Sequence, residues 1–249
     1  MDEQVPDPGG GYFGTKKACE PLHVQYSYDD RSVVLVNSRQ EPFSGLTLTV
    51  QVYDLSLKEL FTREVPVSVE ADSSLSVLKV PPFPPGPAAA VYFVRLLLRD
   101  QAGKTVSSNF YWLPVTLSVL GWDKTPDTSF TPIATFEDMT GLNHLPRVRL
   151  HANAKIELSP GGDIARVTLH NPSQNLAFQV HAGILKGNSE QEILPVLWED
   201  NYLALMPGES KAITAKYLDK GVLGTDAKLL VNGWNIEPLT ISLSAPTTK

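Results

Sequence analysis

The chain has 249 residues, a formal net charge of −6, and 42% hydrophobic against 19% charged residues. That length suits two domains of about 100–150 residues each, and an acidic balance with no Lys/Arg cluster excludes the concentrated positive field that nucleic acid demands. The single cysteine, Cys19, excludes an intrachain disulfide, and no apolar run approaches the ~20 residues of a membrane helix.

The first residues, MDEQVPDPGGG, are acidic and turn-rich where a secretory leader needs a basic start and an apolar run. No targeting signal is read there, and the compartment stays open. Cys19 is expected to be a small buried packing residue. From Leu22 onward, period-two alternation dominates, because successive side chains of a strand face opposite sides of a sheet. Leu22, Val24, Tyr26 and Tyr28 alternate with His23, Gln25 and Ser27. Strands are then predicted at Ser32–Ser38, Leu46–Val52, Glu59–Ser68, Ser74–Val80, Val91–Asp100 and Lys104–Leu113. Seven strands in about 95 residues is the count of a constant-type immunoglobulin-like sandwich. Trp112, inside the last of these, is expected in its core.

Between Pro114 and Pro146 the alternation fails at Gly121, Pro126, Pro132 and Gly141. One short helix is predicted within this stretch, over Phe136–Thr140, capped by Thr135 and stopped by Gly141. A second sandwich opens with Arg147–Leu158, where Val148, Leu150, Ala152, Ala154, Ile156 and Leu158 form the dry face. A Pro160-Gly161-Gly162-Asp163 turn leads to Ile164–Asn171, then Leu176–Lys186, Leu203–Leu205, Glu209–Leu218, Lys228–Val231 and Trp234–Leu243. Asn232-Gly233 between the last two has the composition of a tight type I′ hairpin turn. The reading is therefore all-β: two immunoglobulin-like β-sandwich domains in tandem at 21–114 and 147–249, a connection at 115–146, and 1–20 as a leading stub and linker.

The side chains offer little chemistry. The acidic neighbours Asp29/Asp30 and Glu199/Asp200 lie in turn-like settings, where turn formation accounts for them, and no catalytic carboxylate pair is assigned. His151, His170 and His181 fall on the outward phase of their strands without Cys, Asp or Glu at ligand spacing, so they are read as separate surface histidines; no metal or cofactor is assigned. Trp122, Trp198, Tyr202 and Trp234 stand at a linker, strand ends or turns. They are the candidates for contact with carbohydrate or with a neighbouring domain, since a ring with a polar edge suits such positions.

Four blocks in a fixed order carry a resemblance: Tyr12–Tyr26 (YFGTKKACEPLHVQY), Asn109–Leu113 (NFYWL), Phe136–Leu145 (FEDMTGLNHL), and Asp200–Tyr217 (DNYLALMPGESKAITAKY) behind Trp198 with Val231–Trp234 (VNGW) beyond. Together they resemble the C-terminal immunoglobulin-like domains of glycoside hydrolase family two enzymes, of the exo-β-D-glucosaminidase and mannosylglycoprotein endo-β-mannosidase type. The resemblance covers all but about the first ten residues. It implies a larger parent whose (β/α)₈ barrel holds the two catalytic carboxylates, residues 1–20 being the exit from that barrel. It further implies a non-catalytic role for this chain, packing on the barrel and stabilising it, in an extracellular or vacuolar setting if the parent is exported. Two alternatives stay open: a stand-alone module that grips polysaccharide through exposed tryptophans, and an adhesion or scaffold protein, because sandwiches host many functions.

Overall fold

The computed structural model describes residues 8–83, 90–125, 130–159, 162–187, 189, 191–217, 223 and 226–243. Both sandwiches are present, in two compact units. One holds residues 17–145; the other joins the second sandwich, residues 146–249, to the first sixteen residues of the chain.

In the first sandwich, β1 (Leu22–Tyr26), β2 (Ser32–Asn37) and β5 (Ser73–Lys79) form one antiparallel sheet in the order β1-β2-β5. The facing sheet runs β4-β3-β6-β7, with β3 at Phe43–Asp54, β4 at Glu59–Val69, β6 at Val91–Arg99 and β7 at Thr105–Pro114. The count of seven is met, but the fourth strand pairs with β3 and not with the first sheet, so the division is three and four where a constant-type domain has four and three. Val24, Val33, Leu35, Leu48, Val50, Val94, Leu96 and Leu98 fill the space between the sheets.

The sheets are stitched at one side by side chains two residues apart on β7. Ser107 Oγ accepts from Val24 N (3.4 Å), Asn109 Nδ2 donates to Val24 O (2.8 Å), and Tyr111 Oη accepts from Tyr26 N (3.1 Å). This period-two row fixes the phase of β7. Leu113 shares the inward phase and is buried, whereas Trp112 takes the opposite phase and is exposed. An apolar run had suggested core for Trp112; the phase of the strand overrides it. Cys19 also departs from expectation, since it lies in the turn after a helix and is exposed.

Beyond β7, β8 (Val119–Leu120) and β9 (Ile133–Thr135) make a two-stranded flap. The helix expected over Phe136–Thr140 is absent. Asp138 Oδ1 instead accepts from both the backbone N and the hydroxyl of Thr140 (2.9 and 2.6 Å), a local bond that competes with helix formation. A 3₁₀ turn follows at Thr140–His144.

The second sandwich has two four-stranded antiparallel sheets. The first is β10-β11-β15-β13, with β10 at His151–Ser159, β11 at Gly162–His170, β13 at Leu197–Trp198 and β15 at Ser210–Lys216. The other is β14-β12-β16-β17, with β12 at Ala177–Leu185, β14 at Leu203–Leu205, β16 at Lys228–Asn232 and β17 at Leu239–Ser242. Along β10, Ala154 and Ile156 are buried while His151, Asn153, Lys155 and Glu157 are exposed, as the alternation predicts. The tip of the β10–β11 turn, 160–161, lies outside the described residues. The β16–β17 connection is wider than a two-residue turn, because Val231 pairs with Leu239.

Residues Gly10–Ala18 form α1. The sequence gives little warning of it, since only Phe13 is buried and no amphipathic stripe exists. That one ring enters the core of the second sandwich, whose own strands begin more than 130 residues later. Lys16 Nζ completes the clamp, donating to the carbonyls of Trp198 (2.9 Å) and Glu199 (2.8 Å).

Candidate functional site: an exposed flap and a braced aromatic rim

Two surfaces carry aromatic groups. The first is the flap of residues 117–136. Leu117, Val119, Leu120, Ile133, Phe130, Trp122 and Phe136 are all exposed, the last two at 71% and 73%. Beneath it the pairing is slight: Val119 faces Thr135, Leu120 faces Ile133, and Gly121 N donates to Pro132 O (2.8 Å). So many exposed apolar side chains within one short stretch suit an interaction surface.

The second surface, an end of the second sandwich, is built from Asn residues that brace backbone. Asn201 Oδ1 accepts from Ala182 N (2.9 Å) and Tyr202 N (3.0 Å), and its Nδ2 donates to Ala182 O (2.9 Å). Asn235 Oδ1 accepts from Phe178 N (2.9 Å), while its Nδ2 donates to Pro146 O and Leu176 O (both 2.7 Å). Asn171 Nδ2 reaches the carbonyls of Asn175, Leu205 and Met206. All three are buried. Sequence reasoning did not single them out, although Asn201 and Asn235 lie in or beside the DNYLALMPGE and VNGW blocks.

On this frame sit Tyr202 and Trp234. The Tyr202 ring centroid lies 5.9 Å from Phe13 and 5.0 Å from His181, whose Nδ1 is 3.2 Å from Asn232 Oδ1. Trp234 N donates to Phe178 O (3.1 Å) and its ring meets Phe178 edge-on, 51% exposed. Of the four aromatic candidates, Trp122 lies on the flap, while Tyr202 packs against Phe13 and His181 and Trp234 against Phe178 on the second sandwich. Trp198 lies elsewhere, buried in the core with Tyr217 and Ile213. Its side chain follows the inward phase of the short edge strand β13.

His181 keeps its outward phase, opposite the core residues Val180, Ala182 and Ile184, yet is buried and not on the surface, because the Tyr202 ring covers it there. His151 and His170 do pair across β10 and β11, rings 6.0 Å apart, with His170 Nδ1 2.9 Å from Ser210 Oγ. Among the described residues no group of three His, Cys, Asp or Glu is placed to hold a metal ion.

The acidic neighbours are engaged locally. Asp30 accepts from Ser32 N (2.9 Å) and pairs with Lys79 (2.7 Å), and those bonds hold its carboxyl well below the usual carboxylate range. Glu199 accepts from the Thr214 hydroxyl (3.0 Å), and Asp200 pairs with Lys211 and accepts from Asn201 N.

Comparison with known proteins adds identity to this geometry. A family model described as an exo-β-D-glucosaminidase Ig-fold domain matches residues 128–236, and one described as a mannosidase Ig/CBM-like domain matches residues 29–115. The chain is 38% identical over 241 residues to an exo-β-D-glucosaminidase of Streptomyces avermitilis, covering 94% of this chain and 26% of that protein. To a mannosylglycoprotein endo-β-mannosidase of Lilium longiflorum it is 24% identical over 285 residues, covering 94% and 28%. The crystal structure of Amycolatopsis orientalis exo-chitosanase CsxA superposes with a TM-score of 0.87 at 35% identity, over 95% of this chain and 28% of that one. The chain thus spans about a quarter of the length of the curated relatives it matches.

Proposed function

The chain belongs to the Ig-fold domains of exo-β-D-glucosaminidases of glycoside hydrolase family two, and from that membership we propose that it is a non-catalytic, C-terminal tandem sandwich region that packs on the catalytic (β/α)₈ barrel of its parent and stabilises it. The observation that carries this reading is the flap. Seven apolar side chains within twenty residues stand in water with little of their own sandwich beneath them, an arrangement that costs free energy unless a partner covers it. The chain's share of its relatives, about a quarter, leaves room for a catalytic body to be that partner.

The acidic pairs fit the same reading. Asp30 and Asp200 each hold a lysine and a turn amide, so each carboxylate already has a structural task, whereas glycoside hydrolysis needs two carboxyl groups facing one bond at about 5–10 Å separation. The test has two arms. Purified chain assayed on aryl β-D-glucosaminide and β-mannoside is expected to give no turnover, and turnover by the chain alone would overturn the non-catalytic role. A parent enzyme lacking this region is expected to unfold at lower temperature while the enzyme still folded keeps its bond-cleaving rate; an unchanged melting temperature would overturn the stabilising role.

A further inference from the structure

The rim around Trp234 holds two residues in a conformation that L side chains rarely adopt. Gln179 at the β12 bulge has φ 52° and Tyr202 has φ 53°. Glycine occupies that region without strain, and non-glycine residues kept there cluster at sites where the side chain itself is used. The two are neighbours in space: a Cβ built on Gly10 would lie 3.5 Å from the Tyr202 ring and 3.8 Å from Gln179 Oε1. On the other side of Gln179, a Cβ on Gly233 would fall 2.6 Å from the Gln179 carbonyl, so residue 233 is confined to glycine by close approach. That approach seats Asn232 and Trp234, the two residues flanking Gly233, beside the strained pair.

The chemistry gathered there differs from that of the flap. The flap is mostly Leu, Val, Ile and Phe, which suits burial against protein. On the rim the Gln179 carboxamide and the Tyr202 ring both come close to Gly10, the Asn232 carboxamide meets His181 beneath Tyr202, and the half-exposed Trp234 follows Gly233, whose backbone lies against Gln179. A carboxamide both donates and accepts hydrogen bonds, which matches a ring hydroxyl, and a planar aromatic face matches the C–H face of a β-configured pyranose. Asn201 and Asn235 hold the backbone on either side, so the group is formed in advance of any ligand.

We propose that this rim binds a β-linked pyranose chain, with Trp234 as the stacking surface and the Gln179 and Asn232 carboxamides as hydrogen-bonding partners. The class of sugar rests on the reading under Proposed function; the site rests on the geometry. The test is a nuclear magnetic resonance titration of the isotopically labelled full chain with a β-1,4-glucosamine tetramer and, separately, a β-1,4-mannose tetramer, each up to about 10 mM, where a weak single-ring contact is visible. Saturable shifts at the Trp234 indole and the Gly233 amide are expected with at least one sugar, and which one responds distinguishes amino sugar from mannan. Trp234→Ala should weaken binding at least about tenfold. Gln179→Gly relieves the strained φ, so it should keep or raise Tm yet weaken binding. No shift with either tetramer, or shifts of equal strength in both variants, would overturn the site. The turnover and truncation assays above read the accessory role separately, so either idea can fail alone.

Discussion

Trp122 and Trp234 are both exposed and rest on unlike ground. Trp122 rides a flap held by two strand pairings and a few turn bonds, whereas Trp234 follows a glycine locked by contact and precedes an asparagine that bonds three backbone groups. The difference teaches that exposure by itself does not assign a role to an aromatic side chain. A ring on a pre-braced frame is ready for a small ligand, and one on a weakly tied apolar flap awaits a surface of comparable size.

If the rim owes its shape to its frame, breaking the frame should have the largest effect. Phe13→Ala removes the ring that α1 inserts into the second core and is expected to cost about 3–5 kcal/mol, seen as a lower unfolding midpoint for the second sandwich with the first unmoved. Asn235→Ala should follow at about 3 kcal/mol, because Phe178 N, Pro146 O and Leu176 O lose their partners together; hydrogen exchange at Phe178 would report it. In the first sandwich, Asn109→Ala loses one stitch between β7 and β1 and should cost about 1 kcal/mol by denaturant midpoint. The flap sharpens the contrast from the other direction: Leu120→Glu in the isolated chain should change stability by less than about 0.5 kcal/mol, since its side chain is exposed on a two-stranded flap. The smallest effect is one of pH. The Asp30 pKa is depressed by its bonds to Lys79 and Ser32, so the stability it adds is present above the ordinary carboxylate pKa of about 4 and is lost as pH falls below it. Asp30→Asn should flatten the acid limb of the unfolding profile slightly.

The fold was readable from alternation wherever one face is dry and the other wet, as along β10, and the two-sandwich reading needed little more. Contacts between distant parts of the chain were not readable. Nothing around Phe13 or Lys16 says that they bind carbonyls and core more than 180 positions away, because a single anchoring ring leaves no periodic trace. Trp112 and His181 were misplaced for a related reason. The inward phase of β7 is set by hydrogen bonds to β1, and His181, outward as read, is covered by Tyr202 from a distant part of the chain, and neither is a local property of sequence. At the candidate site, Tyr202 and Trp234 drew attention as aromatics at strand ends, while Gln179, ordinary in composition, gains meaning only from its φ.

The account turns on whether the flap is a buried contact in the intact enzyme. Leu120→Glu with Trp122→Ser, introduced into a full-length parent and followed by thermal unfolding beside the same pair in the isolated chain, tests this directly. A fall of several degrees in the full-length protein, with the isolated chain unmoved and the turnover rate of the folded enzyme retained, is the predicted result. An unmoved full-length protein would show the flap to be free in the enzyme and would contradict the account.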